Sequence, residues 1–369
     1  MNVLHLDEQR GWRGGEQQAA WLVEGLARRG HRVLLAGRQT SAWLDHLAGA
    51  MSPSRLGVSI HRLPFLHELD LFTAWRLAEI IKRERVEIIH AHTGHAHTLA
   101  CLARQIAGRG KVVVSRRVSF MPRRGPLNRW KYWVPDQYIA VSGKVAEVLL
   151  EYGIPKERVA LVYSSVDLGR LDVAPAPREA LGVQPGAPLI VSAGALVDHK
   201  DHATLLKAMP AVLKEFPTAQ VLIAGEGERR SALEEQIELL GLRGHVQLLG
   251  HRRDVPALVR AADLYVSSSW SEGLGTSVLE ALGCGTPVVA AEAGGVGEMI
   301  LDGETGYLVP NRAPNLLGQA MLRSLREREA ALRMAARGRA RVEAKFTVER
   351  MVEGTLEVYA KLLAKGAGP

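Results

Sequence analysis

Short apolar runs rich in β-branched residues alternate along this chain with longer stretches of helical periodicity. The first half contains the runs NVLHL, HRVLLAG and VEIIHAH, and the second half contains PLIVSAG, AQVLIAG and PVVAA. This alternation is typical of β-α-β units, in which parallel strands form a sheet and helices cover its faces. The pattern therefore predicts an α/β fold with a parallel sheet in each half of the chain.

The length of the chain and a proline-rich break predict two domains. The 369 residues, 47% of them hydrophobic, are enough to fill two separate cores. Residues 168–186 contain Pro175, Pro177 and Pro185 without hydrophobic periodicity, which indicates a linker. We therefore predict four segments, namely a first domain over 1–167, a linker over 168–186, a second domain over 187–346, and a last helix over 347–369.

The cysteines and the hydropathy predict where the protein works. Cys101 and Cys284 both lie in apolar runs, so no disulfide framework exists and a reducing compartment is expected. The chain starts directly with a strand pattern, and no uncharged apolar run reaches the roughly 18 residues that a membrane span needs. We expect a cytoplasmic protein, at most peripheral at the inner face of the cytoplasmic membrane.

Residues 267–300 predict a phosphate site. Glu272 ends an apolar run, a glycine-rich turn follows, and Thr276 opens a helix that carries Glu280 before the next apolar strand. At such a junction the first-turn N–H groups have no partner within the helix and the helix dipole is positive, which favours a phosphate ligand. Glu280, one turn further along, is positioned for a ribose. Glu272 would face the group attached to the distal phosphate.

The same segment resembles the donor site of family-4 glycosyltransferases with the GT-B fold. The matching residues are Glu272, Gly273, Gly275, Glu280, Gly283, Gly285, Pro287, Gly294, Gly295 and Glu298. The first half carries further family landmarks in Gly14-Gly15-Glu16 and IIHAHTGHAH. The resemblance implies two Rossmann-like domains that face a central cleft, an acceptor-binding first domain, a nucleotide-sugar-binding second domain, and a last helix that returns to the first.

The resemblance also implies an activity. Such a protein moves a sugar, with retention of anomeric configuration, from a nucleotide-diphosphate donor, most often UDP, to an acceptor hydroxyl. The acceptor would be a lipopolysaccharide core, a glycolipid or a polysaccharide precursor. Because no Asp-x-Asp motif occurs, we expect no metal and no cofactor, with a helix N-terminus and a lysine holding the diphosphate.

Roles follow residue by residue from this resemblance. His92 and Glu272 are the expected catalytic residues, with Glu272 positioning the donor or stabilising charge. The expected donor-binding residues are Gly14, Gly15, Lys200, Gly225, Arg252, Leu274, Gly275, Thr276 and Glu280. The expected acceptor-binding residues are Thr93, His95, Arg116 and Arg117. Ala195 stands where the family has a phosphate-binding arginine, and His199, Arg116 or Arg117 are the expected substitutes.

A basic stretch predicts an anionic partner. Between residues 88 and 135 there are nine lysines and arginines and no acidic residue, with Trp130, Tyr132 and Trp133 near its end. An anionic membrane surface, an acidic or phosphorylated acceptor and a solvated basic surface all fit this composition. A nucleic acid is disfavoured because no recognised nucleic-acid-binding motif accompanies the stretch.

A metal site and three other functional classes remain open from the sequence. His90, His92, His95 and His97 could hold a metal, although the acid-free stretch after them offers no further ligands. A dinucleotide-dependent oxidoreductase is disfavoured because Gly11, Gly14 and Gly15 follow the spacing G-x-x-G-G instead of G-x-G-x-x-G. A GT-B sugar-nucleotide epimerase and a noncatalytic protein that binds nucleic acid are the remaining alternatives.

Overall fold

The computed structural model describes residues 1–50 and 58–365 and divides into two compact units. Unit 1 contains Met1–Ser164 and Val348–Pro369, and unit 2 contains Ser165–Thr347. Each unit is built on its own parallel sheet. Within the described residues, no helix is both long and apolar enough to cross a bilayer.

Unit 1 contains a seven-stranded sheet in the order β3-β2-β1-β4-β5-β6-β7, and every neighbouring pair is parallel. Its strands are β1 (Asn2–Asp7), β2 (Arg32–Arg38), β3 (Val58–Leu63), β4 (Ile88–Ala91), β5 (Lys111–Arg116), β6 (Gln137–Ala140) and β7 (Val159–Leu161). The strand order reverses between β1 and β4. In open α/β sheets, ligands bind at the carboxyl ends of the strands at such a reversal.

In the part of unit 1 that the structure describes, six helices come before β7 in the chain. They are α1 (Gly14–Arg28), α2 (Ala42–Ala50), α3 (Leu71–Arg83), α4 (Gly94–Ala107), α5 (Pro126–Trp133) and α6 (Gly143–Tyr152). Leu77, Leu99 and Leu149 from α3, α4 and α6 pack into one core on one face of the sheet. Leu22 of α1 and Trp43 of α2 pack into a second core on the other face.

Unit 2 contains a six-stranded parallel sheet in the order β10-β9-β8-β11-β12-β13, which reverses between β8 and β11. Its strands are β8 (Leu189–Ala193), β9 (Gln220–Ala224), β10 (Val246–Gly250), β11 (Leu264–Ser267), β12 (Val288–Glu292) and β13 (Tyr307–Pro310). Its helices are α7 (Leu168–Leu171), α8 (His202–Glu215), α9 (Arg230–Leu239), α10 (Val255–Ala261), α11 (Thr276–Gly283), α12 (Val296–Met299), α13 (Pro314–Arg326) and α14 (Arg328–Lys345). Two parallel sheets with helices on their faces confirm the predicted α/β class.

The last helix, α15 (Val348–Ala364), belongs to unit 1 although it follows unit 2 in the chain. Its buried residues Val352 and Tyr359 join the core that α1 and α2 form. Gly25 of α1 lies directly against Val352, since a Cβ atom at Gly25 would come within 2.5 Å of Val352 Cγ2. The absence of a side chain at Gly25 therefore allows α1 and α15 to pack closely.

The segment predicted as a linker, residues 168–186, is partly ordered into helix. It contains α7 and a 3-10 turn, Glu179–Leu181. Arg178 fastens it to unit 2, because its guanidinium donates to Ala261 O at 2.7 Å and to Asp263 Oδ2 at 2.9 Å. Sequence periodicity missed these short contacts because they depend on residues more than 80 positions away.

Candidate functional site

Unit 1 brings polar side chains to the reversal point between β1 and β4. Glu8 follows β1, and its buried carboxylate accepts hydrogen bonds from Thr93 Oγ1 and, at 3.2 Å, from Ala96 N in the first turn of α4. Glu8 therefore fixes the loop after β1 to the start of α4. The sequence analysis identified Thr93 and missed Glu8, which has no motif around it.

His92 lies in a buried chain of hydrogen bonds next to this loop. Arg117 Nη2 is 3.4 Å from His92 Nδ1, and His92 Nε2 is 2.9 Å from His5 Nδ1. A guanidinium can only donate hydrogen bonds, so His92 Nδ1 must accept one from Arg117. In the neutral ring, His92 Nε2 then carries the hydrogen and donates a hydrogen bond to His5 Nδ1. Burial, followed by the neighbouring His90, lowers the pKa of His92 well below its ordinary value. His92 is therefore a neutral imidazole whose orientation is fixed from both sides.

The structure distinguishes the four histidines of residues 90–97. His90 Nδ1 bonds Tyr359 Oη of α15 at 2.5 Å and His90 Nε2 bonds Ser115 Oγ at 2.8 Å, while His97 Nε2 bonds Lys131 O at 2.8 Å. These two histidines hold elements of unit 1 together. His95 is exposed in the first turn of α4, where a ligand can reach it.

Three histidines form a cluster of the size that could hold a metal. Ring nitrogens of His5, His90 and His92 lie within 4.8 Å of one another, and no second such group occurs in residues 1–50 and 58–365. Two of these nitrogens are already hydrogen-bonded to each other, and the cationic Arg117 lies beside His92. Both features oppose a cation at this position. Metal independence stays a prediction.

His5 was missed by the sequence analysis, although a signal for it exists. His5 and Asp7 are two residues apart on β1, so they share one face of an otherwise apolar strand. His5 also pairs in register with His90 of β4. Burial lowers the pKa of His5 to about 3 and raises the pKa of Asp7 well above its ordinary value, with Glu16 adding to the rise.

The two arginines predicted to bind acceptor lie in different environments. Arg116 is buried, its Nη1 donates to Tyr132 Oη at 2.7 Å, and its Nη2 donates to Phe120 O. Arg116 therefore shapes the loop after β5, and its charge is not on the surface. Burial lowers the pKa of Arg117 to about 10, while Glu16 and Asp7 act in the opposite direction. Arg117 lies next to the start of α1.

Gly14 and Gly15 open α1 beside Arg117. A methyl group added at Gly15 would meet only Arg117 Cδ, at an ordinary contact distance of 3.6 Å. The packing of the protein therefore does not require glycine at position 15.

Unit 2 pairs Lys200 with Glu272 at the reversal between β8 and β11. Lys200 Nζ is 2.5 Å from Glu272 Oε1, and the two side chains are only 19% and 10% exposed. The loops that carry them are joined by the hydrogen bond from Trp270 N to His199 O at 3.0 Å. A lysine and a carboxylate with little solvent around them interact more strongly than a surface pair.

Two glycines near this pair are required by backbone packing. A Cβ atom at Gly294 would lie 1.8 Å from Glu272 O, and one at Gly225 would lie 1.9 Å from Gly194 O. These contacts explain both residues without a ligand, since a side chain at either position would displace the neighbouring loop. Gly225 was predicted to approach the donor nucleotide, and its direct effect is to let the loop after β8 cross the end of β9.

The glycine loop after β11 leads into α11. Gly275 precedes the helix with φ of 98°, in the left-handed region that favours glycine, and no side chain caps the N-terminus. Leu274 is buried and anchors the loop, while Thr276 forms the first turn. Glu280 is half-buried one turn later. Burial raises the pKa of Glu280, and Arg170 acts to lower it.

Besides Lys200, two arginines of unit 2 have surroundings that the structure describes. The Arg312 guanidinium stacks over the Trp270 ring at 4.7 Å from its centroid, and the sequence analysis named neither residue. Arg252, predicted to lie near the nucleobase, forms two hydrogen bonds to Asp254, at 2.9 and 2.7 Å. Its guanidinium is therefore held within its own loop.

Comparison with known proteins identifies the two halves. Residues 12–170 match the family described as Glycosyltransferase Family 4, and residues 174–341 match the one described as Glycosyl transferases group 1. The chain is 32% identical over 383 residues to a D-inositol 3-phosphate glycosyltransferase of Segniliparus rotundus, covering 93% of this chain and 83% of that protein. It is 25% identical over 347 residues to the lipopolysaccharide core biosynthesis glycosyltransferase LpsE of Rhizobium meliloti, covering 94% and 96%.

A solved structure shares the fold. Anabaena HepE, crystallised in complex with UDP and glucose, superposes with a TM-score of 0.84 over 98% of this chain and 100% of that one, at 21% identity. The predicted GT-B fold, with its two Rossmann-like domains, is confirmed by this likeness. Together with the two family matches and the Segniliparus relative, it leads to one conclusion: the chain belongs to the family-4, group 1 glycosyltransferases and is a glycosyltransferase.

Proposed function

We propose that the protein transfers a sugar from UDP, with retention of anomeric configuration and without a metal, to a hydroxyl of an anionic glycan or glycolipid. The observation that carries the proposal is the Lys200–Glu272 pair beside the glycine loop that leads into α11. The UDP held by HepE supports the choice of nucleotide. The name of LpsE supports a lipopolysaccharide core among the possible acceptors.

The donor diphosphate would be held by α11 and Lys200. The first-turn N–H groups at Thr276 and Ser277 have no partner within the helix, and the positive end of the helix dipole lies there. Lys200 supplies a full positive charge next to Glu272. Glu280, one turn further into α11, would accept hydrogen bonds from the ribose hydroxyls. Gly14 and Gly15 at the start of α1 are proposed as a second backbone contact to the donor.

The proposed reaction breaks the bond between the anomeric carbon and the diphosphate oxygen. A bond from that carbon to the acceptor oxygen forms on the same face of the sugar, and the acceptor proton passes to the departing diphosphate. The cations and N–H groups lower the barrier by stabilising the negative charge that develops on the leaving group. Glu272 would position the sugar next to Lys200. The neutral His92, held by His5 and Arg117, would line the sugar pocket.

The acceptor would bind to unit 1. Thr93 and His95 at the start of α4 and Arg117 beside α1 are the proposed contacts, while Arg116 acts by shaping the loop after β5. The basic composition of residues 88–135 would attract an anionic acceptor. Peripheral contact with the inner face of the cytoplasmic membrane is part of this proposal.

Calorimetric binding of UDP, GDP and ADP, with and without EDTA, tests the donor site. We expect UDP to bind best and EDTA to have no effect. Glu280→Ala should weaken UDP binding on the order of tenfold, because a charged hydrogen bond to ribose is lost. Glu238→Ala is the matched control, since Glu238 is an exposed helical glutamate of unit 2 that pairs only with Arg243 on the surface.

Two outcomes would contradict the proposal. Equal UDP affinity of Glu280→Ala and wild type would remove Glu280 from the donor site. Interconversion of sugar nucleotides in the complete absence of an acceptor would favour the epimerase. The anomeric configuration of the product, read from its proton coupling constant by NMR, tests retention separately.

A further inference from the structure

Unit 1 exposes large apolar side chains where α3 begins. Leu66, Phe72 and Trp75 are 68%, 58% and 47% exposed, and Leu71 is exposed as well. The opposite face of α3 is buried in the core through residues such as Leu77. The helix is therefore apolar on both faces over its first turns, which is unusual for a helix that faces water.

The local structure keeps these side chains turned outward. Phe65, just before Leu66, anchors the loop because its side chain is buried in the core. Its backbone adopts a positive φ of 46°. Asp70 caps α3, with its carboxylate accepting from Thr73 N at 3.0 Å. Phe72 and Trp75 contact each other, with ring centroids 6.3 Å apart. The exposed apolar group is thus part of a well-defined loop and helix start.

A second exposed apolar group lies in a segment that is joined to the first by an ion pair. Phe120, Met121 and Leu127 are exposed in the segment that follows β5. Lys131 of α5 forms an ion pair with Glu68, which lies between the exposed Leu66 and Leu69. Leu127 lies one turn before Lys131 on the same side of α5. The ion pair therefore links the loop that carries Leu66 to the helix that carries Leu127.

The charges of this surface are positive. Arg76 is exposed on α3, one turn after Phe72, and Arg123 and Arg124 are exposed in the segment that also carries Phe120 and Leu127. Its carboxylates are engaged within the protein. Glu68 pairs with Lys131, Asp70 caps the helix, and Glu79, one turn after Trp75 on α3, pairs with Lys82. We call this the apolar–basic surface, defined by Leu66, Leu71, Phe72, Trp75, Phe120 and Leu127 with Arg76, Arg123 and Arg124.

We propose that the apolar–basic surface docks unit 1 on a bilayer that contains anionic phospholipid. Aromatic and aliphatic side chains next to arginines match the two layers of a membrane interface, since the rings enter the acyl boundary and the arginines reach the phosphates. A contiguous exposed apolar patch rimmed by charge marks an interaction site. The exposed guanidinium groups of Arg76, Arg123 and Arg124 give the surface the sign that anionic lipid requires.

The position of the surface suits the proposed reaction. The segments that form the surface follow the carboxyl ends of β3 and β5. Glu68 in the first segment accepts a hydrogen bond from Thr98 Oγ1 at 2.7 Å. Thr98 lies on α4, one turn after His95. A docked bilayer would therefore lie beside the residues proposed to bind acceptor. This inference deepens the proposed function. It rests on that function only to explain why docking on a membrane would be useful.

Vesicle flotation of the full chain tests the docking. The probes are vesicles of equal parts phosphatidylglycerol and phosphatidylcholine, and vesicles of phosphatidylcholine alone. We expect binding to the anionic vesicles only. Phe72→Ser with Trp75→Ser should reduce it on the order of tenfold, and Arg123→Gln with Arg124→Gln about fivefold per arginine. Leu150→Ser with Leu239→Ser, which alters two exposed leucines on other helices, should bind like wild type.

Four results would overturn the inference. The wild type could fail to bind anionic vesicles, the Phe72 and Trp75 variant could bind as well as wild type, or the control could lose binding equally. A fourth contrary result is wild-type self-association, seen by sedimentation velocity, that only the Phe72 and Trp75 change abolishes. Calorimetric UDP binding by the same variants separates the two proposals, because it should be unchanged whether or not the docking holds.

Discussion

At the scale of single residues, the Lys200–Glu272 pair sets the charge of the donor site. The two charged groups are 2.5 Å apart and little exposed, so each strongly reduces the field of the other. A diphosphate next to Lys200 would be attracted by the lysine and repelled by Glu272. The two residues should therefore have opposite effects on nucleotide binding although they contact each other.

We expect Lys200→Ala to weaken UDP binding roughly tenfold to a hundredfold, because a charge-assisted hydrogen bond to phosphate is lost. Glu272→Gln should leave UDP binding equal or tighter while the transfer rate falls, since repulsion disappears and the sugar loses its positioning carboxylate. Calorimetry for UDP and steady-state rates with a UDP-sugar measure the two effects, and thermal unfolding checks that each variant is folded. Equal weakening of UDP binding by both changes would show that Glu272 is needed to orient Lys200.

The residue scale also shows where sequence reasoning stopped. The glycine loop and the helix that carries Thr276 and Glu280 were predicted because their spacing is local and resembles that of the family. Glu8, His5 and Arg312 were not found, because each acquires its partner only when distant strands or loops meet. His5, for example, bonds a residue 87 positions away.

At the scale of elements, α15 completes unit 1 from the far end of the chain. Its Tyr359 hydroxyl bonds His90 of β4, and its Val352 lies against Gly25 of α1. The sequence predicted the helix from apolar residues at helical spacing, and the family resemblance predicted its return to the first domain. Neither predicted which residues of α1 and β4 it would contact.

Gly25→Ala should reduce the free energy of unfolding of unit 1 by about 1–3 kcal/mol, because the new methyl group would overlap with Val352. In a Val352→Ala background the same change should cost little or nothing, since the clash is gone. Gly49→Ala on α2, where no neighbour among residues 1–50 and 58–365 lies within 4 Å, is the matched control and should not destabilise the protein. Urea unfolding followed by circular dichroism measures all four proteins. A similar cost of Gly25→Ala in both backgrounds would exclude the clash as its cause.

At the scale of the whole molecule, the two units carry unequal numbers of buried neutral histidines. In the described part of unit 1, His5, His90, His92 and His97 have pKa values lowered chiefly by burial. In the described part of unit 2, burial lowers the pKa of His202 to about 4. The unfolded chain binds protons at these positions below about pH 6.5, whereas the folded chain does not. Acid therefore favours unfolding.

We expect stability to be complete above about pH 6.5 and to fall as the pH decreases towards the folded pKa values, which are about 3 for His5 and His97. Each buried histidine should contribute a loss of about 1.4 kcal/mol on going one pH unit below its unfolded pKa. Unit 1 should thus lose more stability than unit 2. Hydrogen exchange of peptides from β4 and β9 measures this difference. The exchange is compared at a pH above about 6.5 and at a pH one unit below it, and is corrected for intrinsic rates. Equal losses in the two units would contradict it.

The amino-acid sequence by itself determined the two parallel α/β folds, the glycine loop with its helix, and the family, because each of these depends on spacing within a few dozen residues. Only the tertiary structure decided which histidine stands next to Arg117, that Arg116 and Lys131 are buried while Phe72 and Trp75 are exposed, and that Glu8 holds Thr93. The physical reason is that a side chain's burial and partners depend on which strands and helices pack around it. In a parallel sheet such as this one, neighbouring strands come from distant parts of the chain.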